Sequence, residues 1–309
     1  MIIVGIMVTQ LNAGAVNMIN SLKKLGWNYE IIGKNVKWEG WETRMIVYAD
    51  FCSSKEVNDV IVLIDAYDAL SVKYSNGFEE LFNSFQLDII VGAENYCGAN
   101  CLPIHKFWSR NTPSQNGNQY VQGGCIVGKA GSLADMYRWC LSKKISDDQM
   151  AIAQYIEENT HIKIGLDADN KISFHDNWGC TGKFSISSTG VSIQRDQFFP
   201  DPYFVHFPGF LVWKSIPLIH GTKNIELQNY NTVAKHILGD DFVVIGQVHS
   251  ESVKDGTIVT LFIVASLLFL LFLFIILFGI YQRKYSCLKK TKCGNPLKKM
   301  HNVSFVKTK

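Results

Sequence analysis

Val60-Ile61-Val62-Leu63-Ile64-Asp65-Ala66-Tyr67-Asp68-Ala69-Leu70 decides how the chain is read. Five apolar residues, four of them β-branched, run directly into two carboxylates three positions apart. A continuous apolar run of this kind suits a central strand buried on both faces. Strands of an open α/β sheet present their chemistry at their carboxyl ends. Asp65 and Asp68 are therefore expected at the lip of a crevice, where hard oxygen ligands suit Mg²⁺ or Mn²⁺. The competing reading is a strand followed by an Asp-initiated turn, with Asp68 solvated.

The flanking sequence alternates strand and helix signals. Residues 2–9 are expected to form a strand and residues 12–25 a helix, apolar along Ala15, Met18, Ile19 and Leu22 and ended by Gly26. A short strand over 29–32, a turn-rich loop holding Trp38 and Trp41, and a helix over 44–51 follow. A helix over 78–85 and a strand over 88–91 come next. Residues 94–118 have loop composition, and 120–127 is an apolar run interrupted by Gly123-Gly124. Helices are expected over 133–141 and over 147–156, the latter with Ser146 as N-cap and Asp147-Asp148 in its first turn. Short strands follow over 162–166, 171–174, 184–187 and 202–207, and then a closing helix within 225–238. This order predicts an α/β domain: a mixed, mostly parallel sheet with flanking helices, spanning residues 1–245.

Charge is uneven along the chain. It carries 30 Lys+Arg and 27 Asp+Glu. Nine of the basic residues follow position 281, where no acidic residue occurs, so residues 1–281 hold 21 basic against 27 acidic groups. An acidic body argues against a nucleic-acid binder. Thr257 to Tyr281 contains no charge in 25 positions, and as a helix it would reach about 37 Å, enough to cross a lipid bilayer. A single C-terminal transmembrane helix is therefore expected over 257–281, after a short stem (246–256) and before a basic tail (282–309). The tail favours a cytosolic C-terminus. The first residues, Met1 to Thr9, carry no basic leader and suit a strand instead. That conflict is resolved here toward a cytosolic body. Among the eight cysteines, Cys52, Cys125 and Cys140 lie in apolar surroundings, where a buried free thiol is ordinary.

The common phosphate-binding motifs G-x-x-x-x-G-K-[ST] and G-x-G-x-x-G, and the G-x-S-x-G elbow, do not occur. A strand followed by Asp-x-x-Asp, a mid-chain Gly-Gly, an Asp pair at a helix start and a late His206-x-x-Gly209 do. Two carboxylates and one neutral imidazole can hold a cation that neutralises charge on a leaving nucleotide. That set fits a metal-dependent sugar-nucleotide transferase. Asp167-Ala168-Asp169 also follows an apolar strand, but Asn170-Lys171 after it favours a hairpin turn. Asp167 is thus a minor candidate beside Asp65 and Asp68, and His206 is preferred over His220. The other histidines, His175 among them, are expected to be structural or at the surface.

In order and spacing, several pieces resemble the GT-A glycosyltransferase domain of the procollagen lysyl hydroxylase (PLOD-like) family. They are Trp38-Glu39-Gly40, Asp65-Ala66-Tyr67-Asp68, Ala93-Glu94 with Cys97, Gly123-Gly124, Asp147-Asp148-Gln149, Leu166-Asp167 and Val205-His206. The resemblance implies a Rossmann-like GT-A fold and transfer of a hexose, glucose or galactose, from a UDP-sugar to an acceptor protein or glycan. It implies Mn²⁺, with Mg²⁺ as the alternative, on Asp65, Asp68 and His206. Trp38 and Tyr67 would pack on the uridine part, Gly123 and Gly124 would let the backbone approach the sugar, and Asp147 and Asp148 would face the donor sugar or acceptor. The chain departs from the pattern at Val212, where relatives carry Lys, and at Gly98, where they often carry Trp. A binding or scaffold protein that keeps the fold without turnover is the rival expectation.

Overall fold

The computed structural model describes residues 1–94, 120–176, 183–187, 190–194, 200–208 and 220–245. The chain divides into two units, Met1–His249 and Ser250–Lys309; all described residues lie in the first. Among them no helix is long and apolar enough to cross a membrane. The expected span over 257–281, its stem and its tail lie outside the described residues, as do Gly98 and Val212.

Six strands form the central sheet: β1 (Ile2–Met7), β2 (Tyr29–Ile32), β3 (Val60–Asp65), β5 (Ile89–Glu94), β6 (Tyr120–Lys129) and β7 (Ile164–Leu166). Their order is β2-β1-β3-β6-β5-β7. β1, β2 and β3 pair in parallel, as do β5 and β7, while β6 runs antiparallel between β3 and β5. A second, three-stranded sheet has the order β4-β11-β8, made of β4 (Ala69–Ser71), β8 (Ser173–His175) and β11 (Phe204–His206). β9 (Lys183–Ser187) and β10 (Gly190–Gln194) form a hairpin. β4 and β10 carried no separate sequence signal, since three and five residues bounded by polar turns give little periodicity.

Both faces of the central sheet are covered, which is why β3 shows no polar alternation. Val60, Val62 and Ile64 join one core cluster with Met18 and Leu22 of α1 (Ala13–Lys24) and Phe78 and Phe82 of α3 (Phe78–Ser84). Phe204 of the small sheet and Val233 of α6 (His220–Leu238) belong to the same cluster. Ile61 and Leu63 point the other way, into a cluster with Met45 and Tyr48 of α2 (Trp41–Ser53). Leu133 and Tyr137 of α4 (Ala130–Ser142) and Ile152 of α5 (Asp148–Glu158) complete it. Successive strand residues face opposite sides, and each such side chain fully buried contributes roughly 1.5–3 kcal/mol. The strand that ends in Asp65 is accordingly a rigid support.

Local signals account for most element ends. Asn12 caps α1 by accepting from Ala15 N at 3.0 Å, and Gly26 follows the helix at φ 71°, a left-handed conformation that suits glycine. α2 starts at Trp41, three residues before the expected start. α5 is capped by Asp147, whose Oδ1 accepts from Met150 N at 2.8 Å. This corrects the expectation of Ser146 as cap: Asp147 holds the extended backbone (φ −105°, ψ 120°) that an N-cap requires.

Candidate metal centre

The chain leaves β1 through α1 to β2 on one side and returns through α2 to β3 on the other. The carboxyl ends of β1 and β3 therefore form a topological switch point, where open α/β sheets bind ligands. Asp65 is the last residue of β3, and Thr9 and Gln10 follow β1. Tyr67 ties the two ends together, its hydroxyl accepting from Thr9 N at 2.9 Å and Gln10 N at 3.1 Å. Its carbonyl lies against Gly14 of α1, leaving no room there for a Cβ. Tyr67 thus sits at the switch point, with its hydroxyl engaged by the β1–α1 loop.

Long-range strand pairing brings His206 to the aspartates. β4 begins immediately after Asp68, and β11 pairs with it antiparallel, so His206 lies opposite Ala69. Phe207 N donates to the Asp68 carbonyl at 2.8 Å and locks the register. His206 Nε2 comes to 3.3 Å from Asp68 Oδ1 and 3.5 Å from Asp65 Oδ2. Among the described residues, Asp65, Asp68 and His206 form the group whose ligand atoms all lie within 4.8 Å of one another. His206 is 2% exposed, and its Nε2 is buried without a well-aligned hydrogen bond. Buried polar atoms are nearly always partnered. An imidazole nitrogen left so, facing two carboxylates, fits a divalent cation. Burial works against the His206 imidazolium, but Asp68 and then Asp65 draw the group above its ordinary value.

A second imidazole stands behind the first. β8 pairs in parallel with β11, placing His175 beside His206 with Nδ1 3.0 Å from His206 Nδ1. His175 is buried, not at the surface; burial, and then His206, hold it well below its ordinary value, so it is neutral. Sequence reasoning missed its place in the site. The signal available was that Ser173-Phe174-His175 and Phe204-Val205-His206 are two short apolar strands each ending in His.

Gly123 and Gly124 lie where β6 leaves β5. Val91 pairs with Ile126 but Gly92 pairs with Gln122, so residues 123–125 form a bulge. A Cβ on Gly124 would meet His206 Nδ1 at 2.5 Å, and one on Gly92 would meet His175 Nε2 at 2.7 Å. A Cβ on Gly123 would face Arg44 Nη2 at 3.4 Å. In the structure these glycines thus make room for side chains of the protein itself.

Arg44, also missed, links the helices to the metal ligands. Its Nη1 donates to Asp65 Oδ1 at 2.7 Å and its Nε to Asp148 Oδ2 at 2.6 Å, with Nη2 donating to the same Asp148 oxygen. It is buried on the face of α2 that carries Met45 and Tyr48. A charge on an apolar helix stripe was the available signal. Burial raises both Asp148 and Asp65 against the pull of Arg44. Gln149 accepts from Gly123 N at 3.2 Å and donates to Glu94 at 3.2 Å, joining α5, β6 and β5. Asp148 is therefore part of the buried ion-pair network, whereas the Asp147 carboxylate caps α5. Trp38 is exposed and packs edge-on against Trp41, with ring centroids 5.3 Å apart. Trp41 in turn lies beneath Arg44, 4.6 Å from its Cζ.

Asp167 has a different role. Its two oxygens accept from Lys171 N, Ile172 N and Ser173 N, each at 2.8 Å, and close the turn into β8. Cys52, Cys125 and Cys140 are buried and free, as expected.

Residues 1–210 match the family profile described as the PLOD GT domain. This chain belongs to that family of glycosyltransferase domains, and its mixed, mostly parallel sheet fits a GT-A fold. No curated protein matches the chain. Among solved structures, the crystal structure of A197 from STIV is similar over 53% of this chain and 80% of that one, at 14% identity and a TM-score of 0.31. A likeness this slight carries no argument.

Proposed function

We propose that the chain is a metal-dependent glycosyltransferase that moves a hexose, glucose or galactose, from a UDP-sugar to a protein or glycan acceptor. The observation that carries this reading is the convergence of Asp65, Asp68 and a buried His206 Nε2, itself without a well-aligned hydrogen bond, at the switch point of the sheet. These three would hold Mn²⁺, or Mg²⁺, which when bound would neutralise charge on the departing nucleotide diphosphate. Tyr67 and Trp38 pack against the uridine part. Tyr67 is already fixed between the ends of β1 and β3, and Trp38 offers an exposed ring beside Trp41. Asp147 and Asp148 lie toward the donor sugar or acceptor, with Asp148 anchored by Arg44. Gly123 and Gly124 contribute through the bulge that seats His206 and Arg44. Asp65 and Asp148 with a single Arg44 between them, and Asp68 and Glu94 nearby, leave an acidic site that attracts a cation. The charge-free stretch 257–281 with its basic flank anchors the chain in a lipid bilayer, the body facing the cytosol.

The test is a donor screen of the full chain with a panel of nucleotide sugars and Mn²⁺, following release of the nucleotide. Release from a UDP-hexose, abolished by chelation, is the expected result. Binding of both UDP and Mn²⁺ with no release from any donor would support a scaffold instead. Protease protection of the body in sealed vesicles would refute the cytosolic orientation.

A further inference from the structure

We infer that His175 is a positioning residue that sets the tautomer of His206 and so decides whether His206 can ligate a cation. The inference rests on the metal-centre reading above and adds to it a residue outside the ligand set.

The geometry is a chain of three side chains. His206 Nδ1 and His175 Nδ1 are 3.0 Å apart, and His175 Nε2 is 3.0 Å from Ser173 Oγ. A neutral imidazole has one donor and one acceptor nitrogen. With the two Nδ1 atoms 3.0 Å apart, one proton lies between them, and the chain of bonds can run in only two directions. In the first, the Ser173 hydroxyl donates to His175 Nε2, and His175 Nδ1–H donates to His206 Nδ1. His206 then carries its proton on Nε2, between Asp65 and Asp68, and that nitrogen has no lone pair to offer. In the second, the Ser173 hydroxyl oxygen accepts from His175 Nε2–H. His175 Nδ1 then accepts from His206 Nδ1–H, and the lone pair of His206 Nε2 points at the two carboxylates. Only the second direction leaves His206 Nε2 a lone pair with which to ligate a cation.

Gly124 packs against the His206 ring and Gly92 against His175 Nε2, each too closely for a Cβ. The rings stand edge to face, with centroids 5.2 Å apart and planes at 87°. Metal-bound histidines commonly give their second N–H to a carboxylate or carbonyl, which can only accept. Here the acceptor is an imidazole nitrogen, a group that could also donate.

The experiment measures Mn²⁺ binding to the full chain at fixed pH, reading the free ion by electron paramagnetic resonance. His175→Leu fills the space without an acceptor; His175→Asn restores an acceptor oxygen near the position of Nδ1. His175→Leu is expected to weaken binding about ten- to hundredfold, and His175→Asn to stay within about threefold of the parent. Equal losses in both variants, or a loss in neither, would overturn the inference. Thermal unfolding of the metal-free variants shows whether each has folded. Should His175→Leu fail to fold, the metal-free parent chain labelled with ¹⁵N histidine decides. The proton between the rings is expected on His206 Nδ1, and finding it on His175 Nδ1 would overturn the inference. Asp68→Ala in the same binding assay separates the two levels. If it binds Mn²⁺ like the parent, the metal centre itself is wrong. If it loses binding while His175→Leu does not, only the role of His175 is wrong.

Discussion

Asp65-Asp68 after β3 and Asp167-Asp169 after β7 look alike in sequence, each an apolar strand running into spaced aspartates, yet the structure uses them differently. Asp167 is 1% exposed and spends both oxygens on three backbone N–H groups of its own turn. Asp65 and Asp68 face an imidazole that arrives from a strand 138 residues beyond Asp68. Local backbone donors make an aspartate structural; a distant nitrogen ligand makes a pair of them a site. Strand-plus-aspartate is therefore informative only once the third partner is known.

The largest expected effect concerns the link between the two helices and this site. Arg44→Met would leave the carboxylates of Asp65 and Asp148 buried without their cation. A loss of about 3–5 kcal/mol in denaturant unfolding is expected. A loss under about 1 kcal/mol would mean that Arg44 is a bystander.

Asp167 gives the next effect, in stability alone. Burial lifts its carboxyl to about 6, against the pull of the three backbone donors. A folded value above the unfolded one means that the folded chain holds the extra proton. The stabilisation is complete below the unfolded value of 3.8 and is lost as pH rises through about 6. Asp167→Asn cannot titrate, so relative to the parent it should gain roughly 2–3 kcal/mol between about pH 4 and pH 7. Parallel stability curves for the two proteins would show that Asp167 does not titrate in this window.

The smallest expected effect divides the Gly-Gly pair. Gly124→Ala pushes a methyl into the His206 ring and should cost about 1–3 kcal/mol, with weaker Mn²⁺ binding. Gly123→Ala meets Arg44 Nη2 at 3.4 Å and should be milder. The reverse order, read by denaturant unfolding, would show that the bulge does not seat His206 as described.

What the sequence made legible follows from the range of each interaction. The two-sided burial of β3 was plain because five consecutive apolar residues, four of them β-branched, fit little besides a buried strand. α1 was plain because its apolar spacing, Asn12 cap and Gly26 stop agree. Asp65, Asp68 and His206 were singled out together, the histidine chiefly through family likeness; the pairing of β4 with β11 supplies the physical reason they meet. Arg44 and His175 were not legible as site residues, because their roles depend on contacts 104 and 31 residues away in the chain. Asp147 and Asp148 were visible as a pair, but only the fold shows that one caps a helix while the other closes on Arg44.

One measurement tests the central claim most directly: calorimetric titration of Mn²⁺ into the full chain, its Asp68→Ala variant and its Asp167→Asn variant at about pH 7. The parent and Asp167→Asn are expected to bind with matching affinity, and Asp68→Ala to show at least about a hundredfold loss, roughly 2.7 kcal/mol. Binding by Asp68→Ala equal to that of the parent, or a comparable loss in Asp167→Asn, would contradict the assignment of the metal centre to Asp65, Asp68 and His206.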